Sequence, residues 1–118
     1  MESTNPATGE VIDEYDSHDE REVDRRLDAA AEAAPAWADT SIEQRQELLS
    51  DAADVLRDGV DEYAELMTLE MGKPITEARA EVEKCAWVCD YYAERADEHL
   101  QDEVIGSEPE SKTFVSYE

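Results

Sequence analysis

Basic side chains are scarce in this sequence: ten lysines and arginines stand against 33 aspartates and glutamates, for a net charge of −23. A surface so acidic repels the phosphates of nucleic acids and of anionic membranes, so neither is expected as a partner. Glycine is equally thin, with Gly9, Gly59, Gly72 and Gly106 each standing alone. Without clustered glycines there is no G-x-G-x-x-G turn and no P-loop to cradle a phosphate. No apolar run approaches the roughly 20 residues of a membrane-spanning helix. The opening "MESTNPATGE" has neither the basic nor the apolar segment of a signal peptide. Two cysteines do not make a disulfide framework. These absences lead to the expectation of a cytoplasmic protein.

What is present is 118 residues, enough for one small domain with a modest core. The acids run through the whole chain rather than forming a tail, and apolar positions persist between them, which argues against disorder. Such a charge opposes compaction by self-repulsion. At molar salt the Debye length falls to about 3 Å and most of that repulsion disappears. The surface therefore reads as that of a protein from a salt-rich cytoplasm. The rival reading is an acidic mimic of nucleic acid.

Local signals divide the chain into a turn and short strand over 1–16, four helices over 17–100, and a connection and strand over 101–118. "NPATGE" at 5–10 gathers turn residues, and "VIDEY" at 11–15 follows as a strand. The four residues before the turn make a poor hairpin arm, so that strand is expected to need a partner elsewhere. Ser17 and Glu20 have capping-box spacing. Val23, Leu27, Ala30, Ala31 and Ala34 then recur at helical period, and Pro35 is expected to end the helix beside Trp37. The second helix starts at Thr40–Glu43 or Ser41–Gln44, carries Ile42, Leu49 and Leu56, and ends at Gly59 as a positive-φ cap. The third covers about 61–71, with Gly72 as its cap and Pro74 preventing continuation.

The fourth helix runs from about Ile75 to Leu100. Ala78, Val82, Cys85, Ala86, Cys89, Tyr92, Ala93, Ala96 and Leu100 form one continuous apolar stripe on it. "DEVIGSEPES" then reads as a polar connection and "TFVSYE" at 113–118 as a strand without a partner of its own. The sum is a mostly α chain, four helices with a short strand at each end.

Candidate chemistry concentrates at Cys85 and Cys89, one helical turn apart. An intrahelical disulfide would distort the backbone. A zinc site needs three or four ligands, and the remaining soft ones, His18 and His99, fit no spacing motif. A reactive thiol wants an electropositive setting, whereas this helix is net acidic. Packing in the apolar stripe is the favoured reading for both, with metal binding or redox chemistry as the sharper alternatives. Lys73 in "MGK" follows a helix end, where a cation suits the dipole, rather than forming a phosphate site. His18 and His99 read as surface residues. No catalytic, cofactor-binding or metal-ligating residue is expected in this chain, since nothing assembles nucleophile, base and oxyanion donors.

Several stretches, in order and over nearly the whole chain, resemble the amino-terminal end of the NAD(P)-dependent aldehyde dehydrogenases. They are "NPATGEVIDEY", the pattern from Trp37 through Arg45, Leu48, Leu49, Ala53 and Leu56, "LEMGKPITEARAEV" and "YYAERA". "EVEKCAWVCDYYAE" and "TFVSYE" look most like the succinate-semialdehyde dehydrogenase group. The resemblance implies the N-terminal part of an α/β fold, with 17–100 in the cofactor-binding half of a homo-oligomeric enzyme. Its reaction would be thiolate attack on an aldehyde, hydride transfer to NAD or NADP, and hydrolysis of the thioester. The family's nucleophile, general base and cofactor motifs lie beyond the point matching Glu118, so Cys85 and Cys89 match helix positions and not the nucleophile. A fragment inactive alone, to be joined by the remainder of the dehydrogenase, is the resulting expectation. The alternatives are a stand-alone helical interaction module or one subunit of a split enzyme.

Overall fold

Residues 1–108 and 110–117 are described in the computed structural model. The order is β1 (Glu2–Thr4), β2 (Val11–Glu14), α1 (Glu20–Ala38), α2 (Ile42–Asp58), α3 (Val60–Met71), α4 (Ile75–His99), β3 (Glu103–Glu108) and β4 (Ser111–Val115). The mostly helical expectation holds. The two ends differ from it: each is a complete two-stranded antiparallel hairpin and not a lone strand.

At the amino terminus β1 pairs with β2 across the "NPATGE" turn, with Glu2 opposite Glu14. Asn5 organises that turn. Its side chain accepts the Ala7 N–H at 2.9 Å, its carbonyl accepts the Gly9 N–H, and Gly9 takes φ +75°. Met1 and Tyr15 exchange hydrogen bonds at 2.7 Å beyond the strand ends, so even the short first arm is tied down. The expectation that this strand needs a partner elsewhere, drawn from the short first arm, is therefore corrected, because terminal and turn hydrogen bonds add to the ladder.

At the carboxyl end "EVIGSE" is a strand, not a connection: β3 pairs with β4 with Val104 opposite Phe114 and Glu108 opposite Ser111. A register shift between Val104 and Gly106 breaks the alternation that would have advertised it. Of the strand expected over 113–118, Glu118 lies outside the described residues, and β4 ends at Val115.

Helix α1 departs from its expected limits at both ends. Asp19, not Ser17, is the N-cap and accepts the Glu22 N–H at 2.8 Å. Pro35 lies inside the helix. Its ring is compatible with helical φ, and its cost is the missing bond back to Ala31. Because α1 is exposed around Ala31, water can satisfy that carbonyl, and the Asp39 N–H closes the next turn on Pro35 O at 3.2 Å. Helix α2 begins with the reciprocal Ser41–Gln44 capping box. Gly59 joins α2 to α3 at φ −97°, so it is not a left-handed cap. Its glycine is explained by crowding, since a Cβ there would stand 2.6 Å from Tyr63 Cε2. Gly72 is the left-handed cap expected, at φ 70°, and its N–H bonds Thr68 O at 3.0 Å.

Among the described residues, α2, α3 and α4 pack into a body. Its core is Ala53, Ala64, Ala78, Val82 and Ala86, with Val82 the largest fully buried side chain. Alanines at the crossings let the helices approach closely, and ion pairs stitch the rims. Arg57 of α2 pairs with Asp90 of α4, Lys73 with Glu81, and Arg79 with Asp61 of α3 at 2.8 Å. The amino-terminal hairpin docks on the end of α3, where Ser3 hydrogen-bonds Glu70.

Helix α1 and the β3–β4 hairpin project from this body. The radius of gyration is 21.0 Å and the extents are 70 × 41 × 22 Å. A compact chain of this length would have a radius near 13–14 Å. The projecting parts carry exposed apolar side chains: Val23, Leu27 and Trp37 on α1, and Val104, Ile105 and Phe114 on the hairpin. Among the described residues no helix is long and apolar enough to cross a membrane.

Candidate functional site

The cysteines occupy α4, whose buried line is Ala78, Val82 and Ala86. Cys85 lies one residue off that line and is exposed, while Cys89 is half-buried. The expectation that both pack in the stripe is thus corrected for Cys85. The periodic stripe is wider than the face that α2 and α3 cover, and Tyr92 and Leu100 are left exposed for the same reason. Cys85, Val88 and Cys89 line an open apolar depression of about 370 Å³ with Glu81 and Lys84. Among the described residues no three His, Cys, Asp or Glu side chains converge as a metal centre.

The two histidines sit far apart in the fold. His18 borders a hollow at the start of α1 with Ser17, Asp19, Arg21, Glu22 and Arg25. His99 ends α4, where Nε2 lies 3.2 Å from Tyr91 Oη. Tyr91 also stacks edge-on with Tyr92 at 5.2 Å and accepts the Arg95 guanidinium over its ring at 5.5 Å. With Trp87 these rings make an aromatic strip along the outer side of α4. Sequence reasoning placed Tyr92 inside and missed the strip. The signal available was the i, i+4 spacing of Trp87 and Tyr91, which puts both rings on one side of a helix.

Charge perturbations follow local partners. Glu22 is held down to about 2, first by its hydrogen bond from Arg25 and then by Arg26. The two guanidiniums reach it at 2.7 and 2.8 Å. Glu43 is lowered first by its own backbone N–H at the start of α2 and then by the Ser41 hydroxyl. Tyr15 is raised by the nearby Asp13 charge. Arg57 is raised by the hydrogen bond it donates to the Asp90 carboxylate. None of these groups faces an enclosed cavity, and none is paired with a nucleophile.

A nicotinamide dinucleotide would need a pyrophosphate cradle, usually glycines and a helix N-terminus after a strand. Here Gly59 and Gly72 are absorbed by a helix junction and a helix cap. Gly9 turns a surface hairpin and Gly106 lies in β3. The hollow at the start of α1 has its Arg25 engaged by Glu22. The residues present do not fit the cofactor.

The profile of the aldehyde dehydrogenase family matches residues 1–118. A probable succinate-semialdehyde dehydrogenase [NADP(+)] of Synechocystis sp. is 45% identical over 114 residues, covering 97% of this chain and 25% of that protein. A succinate semialdehyde dehydrogenase [NAD(P)+] of Escherichia coli is 42% identical over 101 residues, covering 86% and 22%. The crystal structure of succinic semialdehyde dehydrogenase from Streptococcus pyogenes with NADP+ superposes with a TM-score of 0.86 at 33% identity. That superposition covers 96% of this chain and 25% of that one. The chain thus spans about a quarter of the length of the relatives it matches.

Proposed function

The chain belongs to the aldehyde dehydrogenase family, and from that premise we propose that it is the amino-terminal part of an NAD(P)-dependent succinate-semialdehyde dehydrogenase. The observation that carries this reading is the 45% identity that takes in 97% of the chain but only 25% of the relative. The fold agrees physically, because α1 and the β3–β4 hairpin hold apolar side chains away from the core that the described residues form. Patches of that kind mark surfaces that another part of a protein covers. In this reading the chain sits in the cofactor-binding half of a cytoplasmic homo-oligomer, which oxidises an aldehyde to its carboxylic acid. The nucleophile, general base and cofactor contacts come from the remainder, and the chain alone is inactive.

The same uncovered faces support a second reading, a separately encoded subunit that completes a split enzyme or a stand-alone interaction module. Sequencing the DNA beyond the codon for Glu118 separates them. A frame that continues into the rest of the dehydrogenase supports the first reading. A separate adjacent frame encoding the rest supports the split enzyme, and no such frame supports the module.

The charge supports a further part of the proposal, a halophilic origin. No charged residue among the described ones is buried, so the whole excess of acid faces solvent. Circular dichroism should show more helix at molar KCl than at low salt. Equal helix content at both would remove the halophilic reading.

A further inference from the structure

Helix α1 has no core contact of its own, so something must set its direction relative to the body. We infer that Arg45 is a latch that fixes the angle between α1 and the α2–α4 body. The side chain starts on the first turn of α2 and reaches back across the corner. Its Nη2 donates to the carbonyl oxygens of Trp37 at 3.0 Å and Ala38 at 3.4 Å, at the end of α1, where Trp37 O also accepts the Thr40 N–H at 3.1 Å. Its Nε donates to Thr40 Oγ1 at 2.8 Å, and Thr40 Oγ1 in turn donates to Trp37 O at 2.7 Å. The guanidinium also lies over the Trp37 ring, 5.2 Å from its centroid.

Each part of this arrangement answers a local deficiency. The last turn of α1 contains no basic residue, so its carbonyl end has no counter-charge from its own helix. The next helix supplies one. Arginine meets the carbonyls and the hydroxyl from one planar group while stacking on an indole face. Lysine would bring the charge without the fork. The bonds cross the three residues between Ala38 and Ile42, so they restrain the corner and not merely the helix end. With the corner closed, Val23 and Leu27 are presented in one direction from the body, an instance of preorganisation for whatever covers them. Arg45 is therefore a positioning residue.

The test is a distance distribution between spin labels on α1 and α4 of the full chain at molar KCl. Labels go on Ala30→Cys and on native Cys85, with Cys89→Ser as background. The latch predicts a single narrow peak that is lost in Arg45→Ala and is not rescued by Arg45→Lys, while helix content by circular dichroism stays unchanged. A narrow peak retained in Arg45→Ala would overturn it, and so would a broad distribution with Arg45 intact. Rescue by Arg45→Lys would overturn the role of the fork. Loss of α1 helicity in Arg45→Ala would also overturn the inference, because it would make Arg45 a helix-stabilising cap and not a latch.

Discussion

Replacing Val82 with alanine removes two carbons from the one large side chain that the body buries completely, at 1% exposure. Transfer of two buried carbons is worth about 1.6 kcal/mol at roughly 0.8 kcal/mol each. The other fully buried core residues are Ala53, Ala64, Ala78 and Ala86, which have no flexible side chains to move into the space. A residual cavity should therefore raise the loss toward about 3 kcal/mol. Leu27→Ala is the matched control: a larger deletion, but at a residue 63% exposed on α1. In this chain it should change stability by less than about 0.5 kcal/mol. Urea unfolding at constant molar KCl reads both, and with a slope of about 1–3 kcal/mol/M the Val82 variant should lose on the order of 1 M in midpoint. Equal midpoints for Val82→Ala and the parent would refute the placement of the core. A Leu27→Ala loss as large as that of Val82→Ala would refute the picture of α1 as an uncovered arm.

Gly72→Ala should destabilise by about 1–2 kcal/mol, because alanine must then hold φ 70° in the left-handed region; an unchanged urea midpoint would argue against the cap. Glu22 should titrate near pH 2 by carboxyl-resolved NMR. Its pKa is depressed on folding, so the stabilising contribution is present above the ordinary carboxylate range near 4.5 and disappears as pH falls toward about 2. A Glu22 midpoint near 4.5 would show that Arg25 and Arg26 do not hold it.

The sequence and the fold agree where chemistry is local. Ser41 with Gln44, and Gly72 with Pro74, each announce a helix boundary through a hydrogen bond or a φ value that only nearby residues decide. Agreement fails where the deciding contact is remote. "EVIGSE" contains Glu103, Gly106, Ser107 and Glu108 and looks like a connection until Phe114 pairs with Val104. Pro35 looks like a terminator, yet exposure around Ala31 removes the penalty that would make it one. Helical period put Cys85 and Tyr92 on an apolar stripe, but period says nothing of how much of a stripe is covered. Arg45 was visible as one element of a family pattern, and its partners Trp37 and Thr40 emerge only when the corner between α1 and α2 is built.

The most direct test of the account is an assay of the purified 118-residue chain for aldehyde-dependent formation of NADH or NADPH. Succinate semialdehyde is the substrate, the assay is run both at low salt and in molar KCl, and a complete family member serves as the positive control. The account predicts no turnover with either cofactor, because no nucleophile constellation or dinucleotide cradle is formed by the described residues. Turnover that scales with the concentration of this chain would contradict it.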